Sequence, residues 1–211
     1  MRHPYYFFTE SDIISYFYHR LYSKKYEEST NDNQRIYLVH REYPTNFRYR
    51  KKDLLDDSFN MPYDLSKSKR KDIKAKRGNY DLVILDPKFV KKANSKEDII
   101  NKSIRLLEIR ASNSKGQELL YAIEFKYIIN NNHNYIKEVK MDNKKLLFAI
   151  QDGGVEEAIN LVFCNINYYY IEELKKEIAA ASKDIKLIFA HKYYKNNKKL
   201  SSMMENQKYL F

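Results

Sequence analysis

Three residues carry the most chemistry for their surroundings: Asp81, Glu124 and Lys126. Two carboxylates and an ammonium are what it takes to hold a hard divalent cation beside a phosphate and to meet the charge that develops on its oxygens. Glu-x-Lys alone is a weak signal, because it occurs three times, at Glu124–Lys126, Glu138–Lys140 and Glu173–Lys175. The surroundings separate the copies. The second and third lie in helical patterns, where residues two apart are turned by about 200° and read as solvated surface. The first lies in LLYAIEFKY, which reads as a strand, so Glu124 and Lys126 share one face while Ile123 and Phe125 share the other. Charges in the middle of an apolar strand are costly unless they are paired, solvated in a cleft or bound to a metal. A structural ion pair is the plain alternative. Asp81 weighs against it, because it opens the apolar run DLVIL, where a neighbouring strand brings a second carboxylate beside Glu124.

Further acids are candidates to complete such a site. Glu42, near the end of a strand that precedes Asp81, is the first choice, and Glu10 is the second, because a place in the first turn of a helix already accounts for it. Asp142 falls between Val139 and Leu146 on an otherwise apolar helix face and is a supporting candidate. The residues leave two roles open for Lys126: a base of lowered pKa acting on water, or a permanent cation on the transition state. His133, in an Asn-rich loop, reads as solvated.

The elements that must position these groups follow from periodicity. Ile13, Ile14, Phe17, Leu21 and Tyr22 predict a helix over about Ser11–Lys24, with Thr9 and Asp12 approximating a capping box. RIYLVHREYP predicts a strand over Arg35–Tyr43 ended by Pro44, and NYDLVILDP a strand over Tyr80–Leu85. A short helix is expected near Lys96–Lys102. SIRLLEIRAS and ELLYAIEFKYII, separated by Asn113–Gly116, predict a hairpin. A helix over Tyr135–Ile150 stops at Gly153-Gly154. A strand near Ala158–Cys164, a helix near Ile171–Ala181 and a strand near Ile185–His191 then imply a parallel crossover.

YDLVILD followed by YAIEFKY resembles the PD-(D/E)xK nuclease superfamily, which includes restriction endonucleases and Holliday junction resolvases; Asn79-Tyr80 stands where the nominal proline would precede Asp81. The resemblance covers roughly residues 35–191 and implies a restriction-endonuclease-like three-layer α/β/α core around a central mixed sheet. It also implies a Mg²⁺- or Mn²⁺-dependent hydrolase of phosphodiester bonds, with Asp81 and Glu124 as metal ligands, Lys126 as the catalytic lysine and an upstream acid such as Glu42 completing the catalytic set. DNA is expected before RNA on the same ground.

The whole chain is consistent with such a partner. Its 211 residues fit one domain, with a basic insertion at about 45–77 and a polar tail at about 195–211. Net charge is +11, which attracts polyanions. The insertion concentrates Arg48, Arg50, Lys51, Lys52, Lys67, Lys69, Arg70, Lys71, Lys74, Lys76 and Arg77 beside Phe47, Tyr49, Phe59 and Tyr63, a combination suited to phosphates and bases. The single Cys164 excludes an internal disulfide and a thiolate zinc cluster and reads as core. With no spanning apolar run and no signal-peptide pattern, an intracellular (cytoplasmic) protein acting without a membrane is expected. A second copy of the chain or a partner protein is compatible with all of this. The rivals are a non-catalytic nucleic-acid-binding or assembly module, in which Glu124 and Lys126 pair structurally and Asp81 caps a turn, and a domain that binds anionic surfaces.

Overall fold

The computed structural model describes residues 7–49, 76–100, 118–129, 134–151, 154–164, 172, 175–176 and 184–191, with backbone only at 46–49, 76–77, 100 and 191. Helix α1 (Glu10–Tyr22) leads into a small antiparallel pair, β1 (Glu27–Ser29) and β2 (Arg35–Tyr37). Then come β3 (Val39–Tyr49), β4 (Lys76–Leu85), the short helices α2 (Pro87–Lys92) and α3 (Lys96–Ile100), and β5 (Leu119–Ile128). Helix α4 (Asn134–Gln151) is followed by β6 (Val155–Cys164) and β7 (Ile185–His191).

The main sheet has the order β3-β4-β5-β6-β7, antiparallel from β3 to β5 and parallel from β5 to β7. The predicted crossover is therefore present: β6 and β7 lie parallel and adjacent. Of the helix expected between them, Glu172, Lys175 and Lys176 are described, and they are helical.

Strand alternation explains the layers. Ile123 and Phe125 of β5, Leu82 of β4 and Leu161 and Phe163 of β6 meet Ile13 and Ile14 of α1 on one face. On the other face Leu146, Phe148 and Ala149 of α4 pack with Val83, Ala122 and Ala158, and Val139 packs with Val162 and Cys164. The result is an α/β arrangement in which a five-stranded mixed sheet carries α1 on one face and α4 on the other. Cys164 is core, as expected, and burial pushes its thiol up to about 12. No helix among the described residues is long and apolar enough to cross a membrane.

Two expected elements differ. The Arg35–Tyr43 strand is two strands, parted at Leu38, and Pro44 does not end the second: β3 runs on to Tyr49 through an irregularity between Pro44 and Arg48, which absorbs the missing amide donor. The predicted insertion thus begins and ends inside a β3–β4 arm, where Arg48 pairs with Arg77 and Tyr49 with Lys76. Second, over Leu119–Ile123 both edges of β5 are taken by β4 and β6, which leaves no edge of that stretch for a hairpin partner; the arm expected to precede it lies outside the described residues. Residues 101–117, 50–75 and 195–211, with the expectations that fall on them, and His133 lie outside the described residues.

Candidate active site

The site begins where two strands part. The β4–β5 pairing runs from Leu85↔Leu119 to Leu82↔Ile123 and then stops, while both strands continue. One further step of that register sets Asp81 across from Glu124. The amides of β5 that β4 no longer covers need acceptors, and two carboxylates supply them. Phe125 N donates to Asp81 Oδ2 (2.8 Å) and Tyr127 N donates to Glu10 Oε2 (3.1 Å). Backbone demand thus draws acids from β4 and α1 to one edge of β5.

Helix α4 closes the other side, and alternation along β5 points both Glu124 and Lys126 toward it. Lys126 Nζ lies 3.4 Å from Glu10, 3.5 Å from Glu138 and 3.7 Å from Asp142. Glu124 Oε2 accepts from Lys145 Nζ at 2.6 Å, and the same ammonium donates to Asn79 O at 2.9 Å and lies 4.0 Å from Asp142. Two ammoniums therefore face five carboxylates: Glu10, Asp81, Glu124, Glu138 and Asp142.

Electrostatics follow from burial first and from that surplus second. Burial pushes the Asp81 carboxyl up to about 6, helped by the charges of Asp142 and Glu10 and opposed by Phe125 N–H and Lys145. Burial also raises Glu124 and Asp142, with the lysines offsetting part of the effect. For Lys126 burial works downward, but Asp142, Glu10 and Glu138 outweigh it and hold the ammonium above the usual lysine range. Of the two roles that the residues left open, this environment favours the permanent cation.

Of the predicted residues, Asp81, Glu124 and Lys126 come together, joined by Asp142 and by Glu10. Glu42 does not join them. Its backbone is left-handed (φ 51°), a conformation a non-glycine residue adopts at a cost, and its exposed carboxylate reaches Asn79 Nδ2 at 3.4 Å instead. Glu42 and Glu10 thus exchange ranks. Glu138, read as solvated surface, is half-exposed yet reaches Lys126, whereas Lys175 of the third Glu-x-Lys copy pairs with Glu172 at 3.2 Å.

Sequence reasoning missed Lys145 and the pair Asn143–Asn160. Lys145 falls three residues after Asp142 on the buried face of α4, so the i,i+3 stripe of acid and base among apolar residues was its available signal. Asn160 stands across from Glu124 in the β5–β6 register and donates from Nδ2 to Asn143 Oδ1 at 2.8 Å. Glu124 Oε1 and Asn160 Oδ1 are buried with no hydrogen-bond partner.

Among the described residues no group of three or more His, Cys, Asp or Glu side chains has metal-holding geometry. A two-carboxylate site does not need one: Mg²⁺ keeps several waters and takes one or two protein carboxylates plus substrate phosphate. Asp81 spends one oxygen on Phe125 N, Glu124 has an orphaned buried oxygen, and the local charge is negative. This donor set fits a hard cation. Compared with family models, curated proteins and solved structures, the chain finds no match.

Proposed function

We propose that this chain is a metal-dependent nuclease of the PD-(D/E)xK type, acting on nucleic acid and on DNA before RNA. One observation carries the reading: an excess of carboxylates over ammoniums, the buried Glu124 among them with an unpartnered oxygen, at a strand divergence in a molecule of net charge +11. Such a cluster repels a phosphate unless a cation stands between them, and a cation there relieves the penalty that burial puts on the charged forms of Asp81, Glu124 and Asp142.

Asp81 and Glu124 would hold Mg²⁺ or Mn²⁺, which when bound supplies Lewis-acid stabilisation and an activated water. Glu10 fixes the edge of β5 through Tyr127 N and, with Asp142 and Glu138, holds the Lys126 ammonium in place. Lys126 donates to the phosphoryl oxygens as negative charge accumulates there. The β3–β4 arm supports a polynucleotide substrate. It continues beyond the last β4–β5 pair at the same end of the sheet as the carboxylates, and its paired positions include Arg48, Arg77 and Lys76.

The specific observation that favours the non-catalytic module is the ion-pair network itself, which gives both lysines carboxylate partners without any metal. That module's own premises fit less well: Glu124 pairs with Lys145 rather than Lys126, and Asp81 stands within β4 rather than in a turn. Labelled single-stranded, duplex and branched DNA, and RNA, incubated with Mg²⁺ or Mn²⁺, decide between them. Cleavage abolished by EDTA, by Asp81→Asn and by Lys126→Ala is the expected result. Salt-sensitive binding with no cleavage on every substrate would transfer the assignment to the module.

A further inference from the structure

Lys145 sits in a cation seat built by three elements: Glu124 Oε2 of β5 at 2.6 Å, Asn79 O of β4 at 2.9 Å and Asp142 Oδ1 of its own helix at 4.0 Å. It is not a surface pair, because the Lys145 and Glu124 side chains are 9% and 3% exposed. An ammonium there relieves the cost of a buried carboxylate, but only in part. Glu124 Oε1 stays without a partner, so the lysine satisfies one oxygen of a group that has two to offer. Lys126 does not neutralise Glu124 as well, since its carboxylate partners are Glu10, Glu138 and Asp142. An ammonium and a divalent ion that seek the same carboxylate exclude each other, both by occupying its lone pairs and by like-charge repulsion.

Resting on the metal site proposed above, we infer that Lys145 is the internal counter-cation of the metal-free site, holding Glu124 until a divalent ion displaces it. On displacement the ammonium keeps the Asn79 carbonyl and closes on Asp142. Lys145 is on this account a positioning residue that competes with the ion and sets its affinity. Its sign is opposite to that of a supporting residue, whose loss weakens metal binding.

The test is Mn²⁺ binding by calorimetry on the full chain, comparing wild type, Lys145→Gln, which keeps a donor for Glu124 without the charge, and Lys145→Arg, which keeps the charge. Glu124→Gln identifies which binding belongs to this site. Lys145→Gln is expected to bind Mn²⁺ about tenfold more tightly than wild type, with Lys145→Arg no tighter. Thermal midpoints with and without Mn²⁺ read the same preference should Lys145→Gln be poorly stable: its gain from Mn²⁺ should exceed that of wild type. Equal or weaker affinity in Lys145→Gln overturns the counter-cation role while leaving the metal site standing. Absence of Glu124-dependent Mn²⁺ binding in wild type and both variants removes the metal site and this role with it.

Discussion

At the scale of single residues, Asp81 makes a prediction that needs no activity. Its carboxyl is pushed up to about 6 from an ordinary value of 3.8, chiefly by burial. Between those two values the folded protein keeps a proton that the unfolded chain has released, so Asp81 lowers stability as pH rises from about 4 through about 6. The ceiling on that loss is about 3 kcal/mol, reduced by whatever water reaches a group that is not fully buried. Glu124 and Asp142 shift in the same direction and add to the slope. Denaturant unfolding of metal-free protein across this range is expected to show falling stability with rising pH, and Asp81→Asn to flatten the curve and raise stability at neutral pH. A flat wild-type curve would mean that the carboxylates are not penalised as described. The same scale shows what was legible. Glu124 and Lys126 could be read because strand alternation puts both charges on one face of an apolar strand, where they are expensive, and Asp81 because it opens a second apolar run. Lys145 could not be read with the same ease: Lys144-Lys145 looks like an ordinary solvated pair unless the apolar face of α4 is phased to a single residue. Glu42 was ranked above Glu10 because it lies near the end of the strand preceding Asp81 while a first-turn place already accounted for Glu10, and local pattern does not announce a left-handed backbone at a glutamate.

Among the elements, α1 makes its contribution from a distance. Thr9 Oγ1 accepts from Asp12 N at 3.2 Å and Asp12 Oδ2 accepts from Thr9 N at 2.9 Å, the capping box expected from the sequence. The next residue is Glu10, so the cap fixes the backbone of the acid that holds Tyr127 N and Lys126. Thr9→Ala is expected to cost about 1 kcal/mol of stability and to speed hydrogen exchange at the Tyr127 amide, since fraying the first turn withdraws its acceptor. Thr9→Ser should restore both. Exchange at Tyr127 unchanged in Thr9→Ala would detach Glu10 from the helix cap. Periodic elements such as α1, α4, β6 and β7 were legible to within a few residues, because a repeating apolar face is a local property. The partners of β5 were not: a short polar connection suggested a hairpin, whereas pairing is settled by the whole sheet, in which β4 and β6 take both edges of β5 over Leu119–Ile123. The break at Leu38 and the passage of β3 through Pro44 are likewise products of tertiary context overriding a local rule.

For the whole molecule, the decisive property is the contrast between overall charge and local charge. A net +11 gathers polyanions, while the site itself holds more carboxylates than ammoniums. On the proposed nuclease reading, binding and catalysis should therefore separate. Binding by phosphate neutralisation weakens steeply with salt, with a slope on a log–log plot of about −0.9 for each phosphate neutralised on duplex DNA. Residues such as Arg48 and Arg77, opposite each other on the β3–β4 arm, belong to that process if the arm lies along the substrate. Arg48→Gln with Arg77→Gln is expected to make the slope shallower by about one unit for each phosphate no longer neutralised, with EDTA present, while leaving the Asp81-dependent pH slope of stability intact. Asp81→Asn should do the reverse, preserving the salt slope. Fluorescence anisotropy of duplex DNA over a range of NaCl, on both variants, reads this separation directly. Should the arginine variant keep the wild-type slope, the arm lies off the proposed nucleic-acid path, and the positive charge proposed to gather substrate must be sought elsewhere on the chain.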